Sequence, residues 1–138
     1  MNKRDLKYDQ LQAELLTCIP ELKESVDSTF GSDYDLSMES PGAYPIFEDV
    51  VLEFLLKNLN SSQNEALLTR LFDFFEQMAT SNDGNVSDLL RIAILESLIL
   101  HSGEYQRSRH YMGRKTMEFA DVEANSQSPQ KSSDTSLN

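Results

Sequence analysis

Tryptophan is absent, cysteine occurs once, and only two histidines stand in 138 residues. A single thiol, Cys18, cannot close an internal disulfide, which fits a chain made for a reducing, cytosolic compartment. Its apolar neighbours at helical spacing predict a buried, inert thiol. His101 and His110 stand nine apart, so the His-x-x-x-His spacing of a helical zinc site is missing. No glycine loop that could cradle phosphate is present. The N-terminus, Met1-Asn2-Lys3-Arg4-Asp5, has no apolar run behind its bases, so no secretory signal is expected. The longest apolar-rich stretch, Leu89 to Leu100, is broken by Arg91, Glu96 and Ser97 and falls short of a bilayer span. Basic residues are scarce, 12 Lys and Arg against 23 Asp and Glu for a net charge of −11. That surface would be repelled by nucleic-acid phosphates. Neither a nucleic acid nor a membrane is expected as partner.

The acid is unevenly spread. Glu21, Glu24, Asp27, Asp33, Asp35, Glu39, Glu48, Asp49 and Glu53 are nine acids within 33 residues, against one base, Lys23. Nine minus one gives this stretch −8 of the chain's −11. Its middle, Gly31 to Ala43, is a Gly/Ser/Pro-marked loop, with Tyr34 inside it and Tyr44 at its exit. Loops on a rigid scaffold are where binding groups sit, and tyrosine is enriched at interface hot spots. Asp33, Tyr34, Asp35, Glu39, Tyr44, Glu48, Asp49 and Glu53 are therefore the candidate partner-binding residues. A solvated face that only keeps the protein dispersed is the competing reading. The order Asp33-x-Asp35-x-Ser37-x-Glu39 opens like a calcium loop. Met38 and Tyr44 then occupy the places where that loop needs glycine and glutamate. No catalytic set, cofactor or metal is implied.

Periodicity elsewhere is helical. Leu6, Leu11, Leu15, Leu16 and Ile19 predict a first helix that stops before Pro20, and a short helix restarts there. Pro45, Glu48 and Asp49 suit a helix start, followed by Phe47, Val50, Val51, Phe54 and Leu55 at steps of three and four. Ser62-Gln63-Asn64-Glu65 reads as a capping box for a helix carrying Leu71, Phe72, Phe75 and Met78. Asn85 or Ser87 caps the next helix, whose apolar residues from Val86 to Ile99 cover most of its circumference. Such a helix is central. Tyr105 to Val122 predicts a last amphipathic helix or pair, interrupted at Gly113. Its bases, Arg107, Arg109, Arg114 and Lys115, read as internal counter-charge to an acidic body. The expected fold is all-α, a compact bundle of about five or six helices with antiparallel neighbours. Residues 1–123 would form the helical domain and 124–138 a disordered tail rich in Ser, Gln and Asn.

Cys18-Ile19-Pro20-Glu21-Leu22, Tyr44-Pro45-Ile46-Phe47-Glu48-Asp49 and Leu71-Phe72-Asp73-Phe74-Phe75-Glu76 together resemble a class of small acidic bacterial helical proteins. Asn85-Val86, Ile94-Leu95-Glu96-Ser97-Leu98 and Tyr111-Met112-Gly113 extend the resemblance over roughly residues 11 to 118. Some members of that class resemble immunity proteins encoded beside secreted toxins. The resemblance implies a cytoplasmic, non-enzymatic protein that neutralises a basic toxin, a nuclease being the fitting class. It carries over no functional residue and leaves the oligomeric state open. A structural or adaptor helical module is the alternative, and a carboxylate- or metal-dependent hydrolase the second.

The tail offers almost no apolar surface. Deleting residues 125–138 is expected to leave the thermal midpoint nearly unchanged, as a melting curve of the truncated chain would show.

Overall fold

The computed structural model describes residues 5–31, 42–61 and 63–127. Seven helices occupy them, with no strand among the described residues. A 3-10 turn, Tyr8–Gln10, leads into α1, Leu11–Cys18. A second 3-10 turn, Pro20–Leu22, leads into α2, Lys23–Phe30. Then come α3 over 43–59, α4 at Glu65–Ala79, α5 over 84–99, α6 at Ser102–Ser108 and α7 at Arg114–Gln127. The expected all-α bundle holds, and the last amphipathic segment is indeed a pair. Helix α7 runs on to Gln127, past the expected boundary at 124.

The start signals differ in detail from expectation. Helix α3 already begins at Ala43, so Pro45 is its third residue rather than its first. Ser62 of the expected capping box lies outside the described residues, and no side-chain bond from Asn64 caps α4. Asp83, not Asn85 or Ser87, caps α5, its carboxylate accepting the Asn85 N–H at 3.1 Å. Its other oxygen accepts the Tyr8 N–H at 2.9 Å, which ties the N-terminal segment to the start of α5. Helix α2 stops where expected. Gly31, at φ 86°, takes a left-handed conformation that disfavours side chains, and its N–H bonds Asp27 O at 2.9 Å.

Two helices widen midway. Phe47–Val51 in α3 and Leu90–Leu95 in α5 are π-helical, and the two segments pack on each other. The sequence explains this. Ala43, Phe47, Val51, Leu55 and Leu59 stand four apart and are all buried, as are Val86, Leu90, Ile94 and Leu98. In an α-helix a step of four overshoots a full turn by about 40°. Over the four steps of α3 the apolar stripe would drift by about 160°. Wider i→i+5 turns absorb part of that drift and keep the stripe facing one core.

That core is continuous. Leu71, Phe75, Leu90 and Ile94, the expected core residues, are fully buried. Phe72 meets Phe75 edge to face at 5.1 Å and stacks on Tyr111 at 5.9 Å. Helix α5 is covered by α3, α4, α6 and α7. Its ring of cover opens at Ile92, which is 40% exposed.

Helix α7 is held by two carboxylates from outside it or deep within it. Glu76 of α4 reaches its first turn: Oε1 accepts the Thr116 N–H at 2.9 Å and its hydroxyl at 2.8 Å, and Oε2 accepts the Lys115 N–H at 3.0 Å. A borrowed carboxylate thus does the work of an N-cap side chain and sits at the positive end of the helix dipole. Gly113 makes room for it, because a Cβ there would collide with the Glu76 carboxyl. Further along, the buried Glu123 pairs with Arg91 of α5 at 3.1 Å.

This geometry predicts a coupled pair. Glu76→Ala and Gly113→Ala should each destabilise by about 1–2 kcal/mol, the range for losing a cap. Once Glu76 is gone, Gly113→Ala should cost little, so the two effects should fall well short of adding. A four-variant denaturant titration measures this, and simple additivity would refute the displacement.

Candidate functional site

The acids of the 21–53 stretch divide into those consumed by the fold and those it leaves. Glu21 is consumed. Arg70 of α4 donates to both its oxygens, Nη2 to Oε2 at 2.5 Å and Nη1 to Oε1 at 3.2 Å, and Nη1 also donates to the Cys18 carbonyl at 3.2 Å. One guanidinium so fastens the end of α1 and the following turn to α4. These bonds hold the Glu21 carboxyl below its ordinary range. Asp27 is paired with Lys23 at 3.1 Å, one helical turn away.

Glu24, Asp49 and Glu53 are left. They face one another across a groove of about 440 Å³ between α2 and α3, with Ser25, Ser28, Thr29 and Lys57 also on its walls and Val50 and Phe54 lining it. Val26 is fully buried and anchors α2, while the apolar stripe of α3 fixes which way Asp49 and Glu53 point. Positions 24 and 28, and 49, 53 and 57, are each four apart, which places them on one helix face. Among the described residues, Glu24, Glu48, Asp49 and Glu53 enter no ion pair.

The predicted residues therefore fall in three places. Asp49 and Glu53 line the groove. Tyr44 does not; it is half-buried against the core and lines a second, smaller niche with Tyr8, Asn85, Asp88 and Ile92. Glu48 is exposed, and together with Asp88 it acts on the Tyr44 phenol. Burial first, then those two carboxylates, raise the Tyr44 pKa above its usual value. Asp33, Tyr34, Asp35 and Glu39, and with them the calcium-like loop, lie outside the described residues. Sequence reasoning did not single out Glu24 and Lys57 for the site. Their four-residue spacing to Ser28 and Glu53 was the available signal.

The other candidates are scattered. His101 is exposed between α5 and α6, and His110 is exposed, edge-on to Tyr111 at 5.1 Å. Cys18 is only partly buried, at the end of α1, rather than fully buried as expected. Among the described residues no three His, Cys, Asp or Glu could hold a metal ion. No helix among them is long and apolar enough to cross a membrane. The bases of the C-terminal pair find partners mostly within that pair. Arg109 meets Asp121 at 3.0 Å and the Tyr105 hydroxyl at 2.8 Å, while Arg114 and Lys115 approach Glu118 at 3.8 and 3.5 Å. Arg107 caps the end of α3, donating to Leu59 O at 2.9 Å and to the Asn60 side chain. They do not neutralise the 21–53 stretch.

These features define an all-α domain with a net-acidic groove, three carboxylates against the one base Lys57. Over residues 13–123 the chain matches the family described as a domain of unknown function, DUF7674, and it belongs to that family. No curated protein and no solved structure matches it.

The paired acids set an acid limit on stability. The Asp5 carboxyl is lowered by the Asn82 N–H and then by Lys7, Glu21 by Arg70, and Glu104 by the Asn60 amide. A carboxyl depressed in the folded state stabilises fully above its unfolded pKa of about 4 and loses that contribution as pH falls through the folded value. The denaturation midpoint should thus hold from neutral pH to about 5 and decline below it. A double Asp5→Asn, Glu21→Gln variant should start lower and decline less steeply, measured by denaturant titration across pH.

Proposed function

We propose that this chain is a non-enzymatic, immunity-type protein that docks a basic protein, fittingly a toxin nuclease, against the acidic face formed by α2 and α3. The observation that supports this reading is the set of uncompensated carboxylates around the groove. The fold ties Glu21 and Asp27 to bases and leaves Glu24, Glu48, Asp49 and Glu53 without an ion pair among the described residues. A nuclease site is basic because its substrate is anionic. An acidic face steers such a site toward itself and raises the association rate. Speed matters for a protein that must intercept a toxin before it acts. The candidate acids Asp33, Asp35 and Glu39 would extend the same field along the sequence. A helical adaptor without a toxin partner is the alternative, and its acidic face would serve solubility alone.

The test is a triple variant, Glu24→Gln, Asp49→Asn, Glu53→Gln. None of the three carries a described structural bond, so stability should change by less than about 0.5 kcal/mol. Association with a basic protein encoded beside this chain should slow by about tenfold or more at low salt, and its salt dependence should flatten. Stopped-flow measurement of the on-rate decides. An unchanged low-salt rate would leave the groove as a solvated face.

A further inference from the structure

We propose that the niche between the Tyr8–Gln10 turn, α3 and α5 is an anchor site for an arginine side chain of the partner. The inference rests on the reading that the partner is basic, and it names the group that would be recognised.

The niche has a volume of about 310 Å³ and is lined by Tyr8, Tyr44, Asn85, Asp88 and Ile92. Its walls are fixed from three elements. The Tyr8 backbone is bonded to the Asp83 cap of α5 at 2.9 Å, Tyr44 packs on the core at the first turn of α3, and residues 85, 88 and 92 share one face of α5. Two aromatic rings, an aliphatic wall and a carboxylate make a combination suited to a flat organic cation. A guanidinium stacks on tyrosine faces, its stem packs on apolar surface, and its N–H groups donate to carboxylate.

The polar groups have capacity left. Asp88 meets Arg91 through Oδ1 at 2.6 Å, and its Oδ2 accepts no hydrogen bond among the described residues. The Tyr44 hydroxyl likewise bonds none of them. The field has the right sign: Asp88, Glu48 and Glu96 act on Tyr44 against the single guanidinium of Arg91. Among the described residues, Ile92 is one of three large apolar residues that stand exposed, with Leu100 and Val122. It is the one bordered by two tyrosines. Helix α3 supplies Tyr44 to the niche and Asp49 and Glu53 to the groove, so one partner surface could span both.

The experiment is an NMR titration of the full chain with capped arginine amide and with its uncharged isostere, capped citrulline amide. Arginine should give saturable shifts at the Tyr8 and Tyr44 rings and the Ile92 methyl groups. Citrulline should bind about threefold to fivefold more weakly, the scale of an exposed cation–π contact. Tyr44→Ala should abolish the saturable response. Asp88→Asn, which preserves the shape, should weaken arginine binding and leave citrulline unchanged. Equal responses to the two probes would overturn the proposal. So would shifts of the same size at Val50 and Phe54, because they would mean diffuse charge attraction. The titration contains no partner protein. A negative result therefore removes the anchor alone, whereas an unchanged low-salt on-rate in the groove variant removes the basic-partner reading.

Discussion

The arrangement depends on one constraint: α5 is apolar almost all the way round and has to be covered on nearly every side. Val86, Leu89, Leu90, Ala93, Ile94, Leu95 and Leu98 are all buried, and no single neighbouring helix could shield so wide a face. Helices α3, α4, α6 and α7 close around it. Burying each large aliphatic side chain is worth about 1.5–3 kcal/mol, and α3 and α4, which bury their own apolar faces against the same core, share that driving force with it. The surface groups follow from that packing. Tyr44 and Asp88 meet because α3 and α5 pack through their π segments, and Asp49 and Glu53 face α2 because the opposite side of α3 is taken.

Charge is then arranged in layers of decreasing commitment. Glu123 is buried against the partly exposed Arg91, and removing Arg91 would strand the carboxylate. Glu76 and Asp83 are spent on backbone N–H groups at helix starts. Glu21, Asp27, Glu118 and Asp121 are paired at the surface, where each pair contributes about 0–1 kcal/mol. The groove acids come last and have no described structural duty. Folding thus commits some acids and leaves others, and three of those left, Glu24, Asp49 and Glu53, share the face between α2 and α3.

Most of the fold was legible in the sequence, and the illegible parts have identifiable causes. The apolar periods from Leu67 to Ile99 marked the two central helices and their core residues. The π segments were written in the strict four-residue steps from Ala43 to Leu59 and from Val86 to Leu98, which do not suit an α-helix, but a reading by threes and fours passed over the distinction. The cap of α7 was hidden because Gly113 has no side chain and the group that replaces it is Glu76, in another helix. The acidic stretch was plain in composition, yet spacing could not separate Glu21, which meets Arg70 from 49 positions away, from Glu24, which meets none. Tyr44 and Glu53 belonged to one sequence cluster and proved to lie on different sides of α3, because a helix separates neighbours by rotation.

The borrowed cap has a kinetic consequence. The first-turn amides of α7 find their acceptor 39 and 40 positions back in the chain, and Glu123 finds its base 32 positions back. Neither contact exists until α4 and α5 have packed, so α7 gains little by forming alone and loop closure must come first. It is expected to dock late in folding and to open early in native fluctuations. In hydrogen–deuterium exchange its amides would mark a separate, weaker cooperative unit, released as one piece from a core that stays shut.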